Sequence, residues 1–291
     1  MVIQSISEQN NPEKSRHLVG RSLARPFPAT DFEDKTDEAP ARRLRIVFIG
    51  LSAGAGVSTL ASSFAEHLVK EDRRKPSKEG RRLITVLELS DDIKTARGSD
   101  YDRIGCDRRF AGRNFSSCHS IAASGRSVRN LINMDSGVNW LLRRPGETSE
   151  KLKSEDWLRL IGGVAGDVLI CNIDGEFPCA NEKLTRRILC DADSVIAVVD
   201  PLPSSMMAEP GRLELIKEAE SSGIDVRYVI NKMNPGVNKR ELRSFLRIKN
   251  YSMIPYFDPA QIYTAEYNCC TLYAMPKLRE TLRIEFTGFM T

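Results

Sequence analysis

Residues 44–59, LRIVFIGLSAGAGVST, hold the densest chemistry in this chain: an apolar run enters a turn of small residues and leaves into a helix start. Small residues let successive backbone N–H groups converge on an anion at a helix N-terminus, so this layout suits a phosphate. The usual phosphate loop reads G-x-x-x-x-G-K-[ST], with lysine on the β/γ-phosphates and a hydroxyl on Mg²⁺. Here Val57 stands at the lysine position, followed by Ser58 and Thr59. The amides of Gly54, Ala55, Gly56, Val57, Ser58 and Thr59 are therefore the candidate phosphate cradle. Ser58 is either a Mg²⁺ ligand or a cap of its own helix. Such a loop is built to hold phosphate and poorly equipped to hydrolyse it.

Other candidates close apolar runs. Asp174 ends DVLICNID, where an acid at the C-terminal end of a buried parallel strand faces the ligand crevice of an open sheet. It would reach Mg²⁺ through water, or else cap the next segment. Asn231 ends VRYVINK, either reading a base or forming a turn. Glu88 and Asp91, in VLELSDD, would position water or hold a switch loop, or are solvated strand-end acids. Asp91 and Asp174 are thus the candidate catalytic acids. His17, His67 and His119 share no arrangement with a nucleophile, and no G-x-S-x-G occurs.

The elements that must position these groups follow from hydrophobic periodicity. Strand-like runs at 44–50, 83–89, 138–144, 167–174, 194–200, 226–232 and 251–257 alternate with helical stretches at 58–71, 182–192, 211–223 and 239–248. Several runs are apolar on both faces, as in a parallel sheet covered by helices. The expected fold class is α/β: a doubly wound, mostly parallel sheet flanked by helices. Gly223 reads as a helix stop and Asn238 as an N-cap. Residues 1–42 read as a disordered polar tail and 43–291 as one domain. The segment 90–137, rich in Asp, Arg, Ser and Gly, is expected to carry short helices near 116–124 and 127–133 at the mouth of the sheet.

Composition narrows the partners. The 43 Lys and Arg against 39 Asp and Glu leave a formal charge of only +4, and the local basic clusters lack aromatic interleaving, which argues against nucleic acid. Seven irregularly spaced cysteines show no zinc pattern and suit a reducing compartment; Cys171 and Cys190 read as buried thiols. No apolar run approaches the ~18 residues of a membrane span, and no signal peptide is visible, so a cytoplasmic protein without stable membrane insertion is expected.

The order of these pieces resembles the MinD/ParA family of deviant Walker A P-loop NTPases (SIMIBI type), which includes TadZ-type and CpaE-type pilus proteins. The resemblance spans roughly 44–290. Against the family's K-G-G-x-G-K-T-T, Ser52 takes the signature lysine, Ala53 and Gly54 the small positions, Gly56 the next glycine and Val57 the second lysine. ICNIDGE matches the Walker B strand at Asp174, VVDPLPSS the next strand's turn, Asn231-Lys232 the base strand's N-[RK], and IPYFDPAQI the final I-P-x-D-P. The resemblance implies ATP or ADP with Mg²⁺ as ligands, Asn231 as base reader, Ser58 and Asp174 at Mg²⁺, a homodimer, and protein partners in pilus or secretion assembly.

With both lysines gone, the Walker A loop is degenerate. Each lost charge-assisted bond should cost ~1.5–3 kcal/mol of binding. A missing cation at the transferring phosphoryl should cost ~10³–10⁵ in rate. The expected function is regulation or positioning with little or no ATPase activity; the alternative is an active ATPase that recruits another cation, such as Arg126, Arg129 or a partner's arginine. A dinucleotide-binding dehydrogenase fits poorly, because Thr59 stands at its third glycine and the first strand-end acid, Glu88, comes later than the ~20 residues expected. In the C-terminal stretch, Leu278, Leu282, Phe286 and Phe289 fall at helical spacing and are expected to pack into the core rather than onto a membrane.

Overall fold

Leu44–Gly50 forms strand β1, and its side chains alternate between two cores. Ile46 and Phe48 enter one, Val47 and Ile49 the other, which is why this run carries no polar face. The computed structural model describes residues 43–74, 81–90, 100–111, 114–124, 133–147, 152–173 and 182–289.

After β1 come α1 (Val57–Arg74), β2 (Ile84–Leu89), three short helices α2 (Asp100–Arg103), α3 (Cys106–Arg109) and α4 (Cys118–Ser124), and the hairpin β3 (Met134–Asp135) and β4 (Val138–Leu141). Then follow α5 (Ser154–Gly163), β5 (Val168–Ile173), α6 (Glu182–Cys190), β6 (Ser194–Val199), α7 (Pro203–Ala208), α8 (Pro210–Ser221) and β7 (Asp225–Met233). The chain closes with α9 (Lys239–Leu246), β8 (Ser252–Pro255), α10 (Pro259–Tyr267) and α11 (Pro276–Thr287).

Among the described residues these strands form one eight-stranded sheet, ordered β3-β4-β2-β5-β1-β6-β7-β8. All pairings are parallel except β3 with β4. β1 lies between β5 and β6, with Ile49 opposite Ile173 on one side and Ala197 on the other. The chain leaves β1 toward β2 on one flank and later returns to β6 on the other. The end of β1 is therefore the switch point at which open α/β sheets bind ligands.

Helices α1 and α11 cover one face, where Phe48, Phe64, Leu282, Phe286 and Phe289 form an aromatic-rich core; α5, α6, α8 and α9 cover the other. Leu278, Leu282, Phe286 and Phe289 are all buried, so α11 closes the domain core as expected. Asn238 caps α9 by accepting from the amides of Arg240 and Glu241, and Gly223, at φ 90°, follows α8.

Two expectations change. The segment 90–137 is more than a polar mouth: Tyr101, Ile104, Cys106, Phe110 and Phe115 join the Phe48 core, because isolated apolar residues from short helices and the turns between them converge in space without any period in sequence. Cys190 ends α6 exposed, whereas Cys171, inside β5, is buried. The tail 1–42 and most of the expected helix at 127–133 lie outside the described residues.

Candidate functional site

The loop from β1 to α1 is anchored at both ends. Leu51 N donates to Val198 O at 3.0 Å, and the first helical bond runs from Leu60 N to Gly56 O at 3.0 Å. Val57, Ser58 and Thr59 thus occupy the first turn, whose amides have no acceptor within the helix and carry the positive end of its dipole. Gly54 and Gly56 hold φ of 74° and 94°, in the left-handed region. A Cβ on Gly56 would lie 2.3 Å from Asn231 Nδ2, so this position needs glycine for space as well as for conformation.

Three donors from β7 and α8 hold the carbonyl ends of this loop. Asn231 Nδ2 donates to Ala55 O at 2.8 Å, Lys232 Nζ to Gly54 O at 2.7 Å, and Arg212 to Gly50 O at 3.2 Å. Lys232 is also ion-paired to Asp200 at 2.6 Å and adopts φ of 58°, a conformation that costs about 1–2 kcal/mol outside glycine. With the carbonyls tied up, the amides are what the loop offers an incoming anion.

The fold brings Gly54, Ala55, Gly56, Val57, Ser58, Thr59 and Asn231 together. Val57 contributes only its amide, because its side chain is 2 % exposed and belongs to the core below. Ser58 is the second residue of α1 rather than its cap, and its Oγ accepts from Asn172 Nδ2 at 2.9 Å. Thr59 Oγ1 accepts from Arg103 at 3.1 Å. Asn231 points its amide at the loop itself. Ser52, at the signature-lysine position, is 2 % exposed, and its Oγ has no hydrogen-bond partner among the described residues. Asp91, Asp174, Arg126 and Arg129 lie outside the described residues.

Several neighbours escaped sequence reasoning. Asn172, fully buried on β5, links Ser58 to Asp100 Oδ2, 2.7 Å from its Nδ2. Asp100 pairs with Arg103 at 2.9 Å, and Arg103 also reaches Ser62 Oγ at 3.3 Å. Glu88 is the register partner of Asn172. It is buried rather than solvated, accepting from Arg143 N at 2.9 Å and Ser90 Oγ at 2.8 Å. Burial first, then the charge of Asp100, push its carboxyl up to about 8. Polar Asn172 inside an otherwise apolar strand was the available signal; Glu88 was already a candidate, and its reading changes from solvated to buried. Asp100 and Arg103 gave none, since they sit on a four-residue helix in an aperiodic segment.

These groups fit a nucleotide phosphate chain: free first-turn amides, a helix dipole, the hydroxyls of Ser58 and Thr59, and two buried side-chain oxygens, on Ser52 and Asn172, without partners among the described residues. Mg²⁺, when bound, would screen phosphate charge, and Ser58 would be the residue of the loop to hold it, in exchange for its bond from Asn172.

No protein-family model matches the chain, and no curated protein matches it. Solved structures do. A ParA-family ATPase from Chlorobium tepidum TLS superposes with a TM-score of 0.64 at 14% identity, over 84% of this chain and 98% of that one. The MinD cell division protein of Aquifex aeolicus gives 0.61 at 12% identity, over 85% and 97%. A plasmid partition protein from Borrelia burgdorferi B31, bound to AMPPNP, gives 0.58 at 12% identity, over 86% and 100%. The chain has the MinD/ParA-like P-loop NTPase fold.

Proposed function

We propose that this chain is a nucleotide-responsive regulatory or positioning protein of MinD/ParA type, related to TadZ-type and CpaE-type proteins, with little or no ATPase activity. It binds ATP or ADP with Mg²⁺ through the 54–59 amides, Ser58, Asp174 and Asn231. It acts in the cytoplasm on protein partners, as a homodimer serving pilus or secretion assembly, without nucleic acid. Among the described residues, no helix is long and apolar enough to cross a membrane.

One observation carries this reading. The cradle is kept, with its carbonyls clamped by Asn231, Lys232 and Arg212, while both lysine positions hold buried uncharged side chains, Ser52 and Val57. Binding by amides survives such a loss; stabilisation of transferring phosphoryl charge does not.

A second reading, an ATPase with a substitute cation, has one support: Arg103 on the Thr59 hydroxyl. Titration calorimetry of ADP and ATP with Mg²⁺, run beside a steady-state phosphate-release assay, separates the two. Binding without turnover supports the first reading, turnover abolished by Arg103→Met supports the second, and absence of binding defeats both.

A further inference from the structure

We infer that the ligand of this loop is a nucleoside diphosphate, and that the site gives no advantage to a third, terminal phosphate. This rests on the reading that the 54–59 loop binds nucleotide, and it names the ligand class of that same site.

Backbone amides and lysines divide the work in an ordinary phosphate loop. The amides cradle the α- and β-phosphates, and lysine reaches the β- and γ-phosphates. Here the first half is intact. Val57, Ser58 and Thr59 open α1 with amides that have no acceptor within the helix. Gly54 and Gly56 keep the left-handed backbone that turns the loop. Two side-chain oxygens at the loop, Ser52 Oγ and Asn172 Oδ1, are buried without partners among the described residues. The second half is gone, because Ser52 and Val57, each 2 % exposed, stand where the lysines would.

The cations that remain do not replace it. Among the described residues, three of them bond to the loop or to the first turns of α1, and each carries its own carboxylate. Lys232 Nζ lies 2.7 Å from Gly54 O and 2.6 Å from Asp200 Oδ2. Arg212 reaches Gly50 O at 3.2 Å and is ion-paired to Glu209. Arg103 reaches Thr59 Oγ1 at 3.1 Å and Ser62 Oγ at 3.3 Å, and pairs with Asp100 at 2.9 Å. Three positive charges thus meet three negative ones. The dipole of α1 acts within its first turn, so it holds the phosphates against the loop and gains little from one beyond them. A third phosphate brings charge that must give up water with no cation to receive it. A lysine on that phosphate would favour ATP over ADP by ~10–100-fold. Without one the preference disappears.

The test is titration calorimetry of ADP and ATP into the full chain, in EDTA and with Mg²⁺, on wild type, Asp100→Asn and Asp200→Asn. Far-ultraviolet circular dichroism checks the fold of each protein. Wild type should bind ATP no more than ~5-fold tighter than ADP under both conditions. Asp100→Asn uncovers the charge of Arg103 beside Thr59, so the ratio of ATP to ADP affinity should rise at least ~3-fold. Asp200→Asn does the same for Lys232 and serves where Asp100→Asn fails to fold. Wild type that binds ATP more than ~5-fold tighter than ADP overturns the diphosphate assignment and leaves the nucleotide reading standing. Unchanged ratios in the folded variants overturn the charge pairing as its cause. No binding of either nucleotide by wild type defeats the nucleotide reading, and this inference with it.

Discussion

Lys232 Nζ lies 2.7 Å from the carbonyl oxygen of Gly54, so an ammonium from the end of β7 sits on a loop that has no lysine of its own. The contact is held by Asp200 at the end of β6, 2.6 Å away, and by the left-handed backbone of Lys232. It joins the loop after β1 to the two strands beyond β1. The ammonium is thereby engaged by the Gly54 carbonyl and the Asp200 carboxylate together.

Lys232→Met removes this charge-assisted bond and leaves Asp200 without its ion pair. Because the Lys232 side chain is 37% exposed, screening reduces the effect, and a loss of about 1 kcal/mol of stability is expected. ADP affinity should fall about tenfold as the loop loosens. Urea unfolding and calorimetry check the two effects; a variant with unaltered ADP affinity would refute the coupling.

Gly56→Ala forces a Cβ to 2.3 Å from Asn231 Nδ2 at φ +94°. Asn231 must then release Ala55 O, and a cost of about 2–3 kcal/mol is expected, with loss of nucleotide binding. Gly146→Ala is the control: φ is +78° and nothing lies within 4 Å, so only the backbone term of about 1 kcal/mol remains. Equal destabilisation of the two variants in denaturant melts would contradict the packing argument.

Val57→Lys restores the second lysine of the ordinary loop in sequence, but not in space. Val57 is 2 % exposed and its Cγ2 would stand 2.8 Å from a Cβ on Gly50. An ammonium starting there has to leave the core, and a loss of about 3 kcal/mol is expected, with no gain in ATP turnover. A stable, faster variant would show that the side chain reaches the phosphate site.

Stability should peak in weakly acidic solution. The Glu88 carboxyl, pushed up to about 8, keeps a proton in the folded chain that the unfolded chain releases above about 4.5, so stability falls as pH rises from 4.5 through 8. Burial beside Tyr273 lowers His67 from 6.5 to about 4; the unfolded chain takes up a proton that the folded chain refuses, and stability falls as pH drops through that range. Glu88→Gln should flatten the alkaline limb and His67→Gln the acid limb, each by roughly 5 °C in melting temperature across its window. Unchanged limbs in thermal melts against pH would rule out these groups as their origin.

The sheet was legible from sequence because its signals are local. LRIVFIG, DVLICNI and SVIAVV are apolar on both faces, and that pattern permits little besides buried parallel strands. The loop was legible too, since Gly54 and Gly56 occupy backbone conformations that few other residues adopt. Short elements such as α7, with no buried residue, and the two-residue strand β3 left no periodic trace.

The sequence by itself determined the strand run, the small-residue turn and the two missing lysines, because each depends on residue type and near-neighbour spacing. Only the tertiary structure decided what surrounds them. Asp100 meets Asn172 from 72 positions away, and Lys232 meets Gly54 from 178. Such meetings depend on how the crossover helices fold back on the sheet, and no local pattern encodes that.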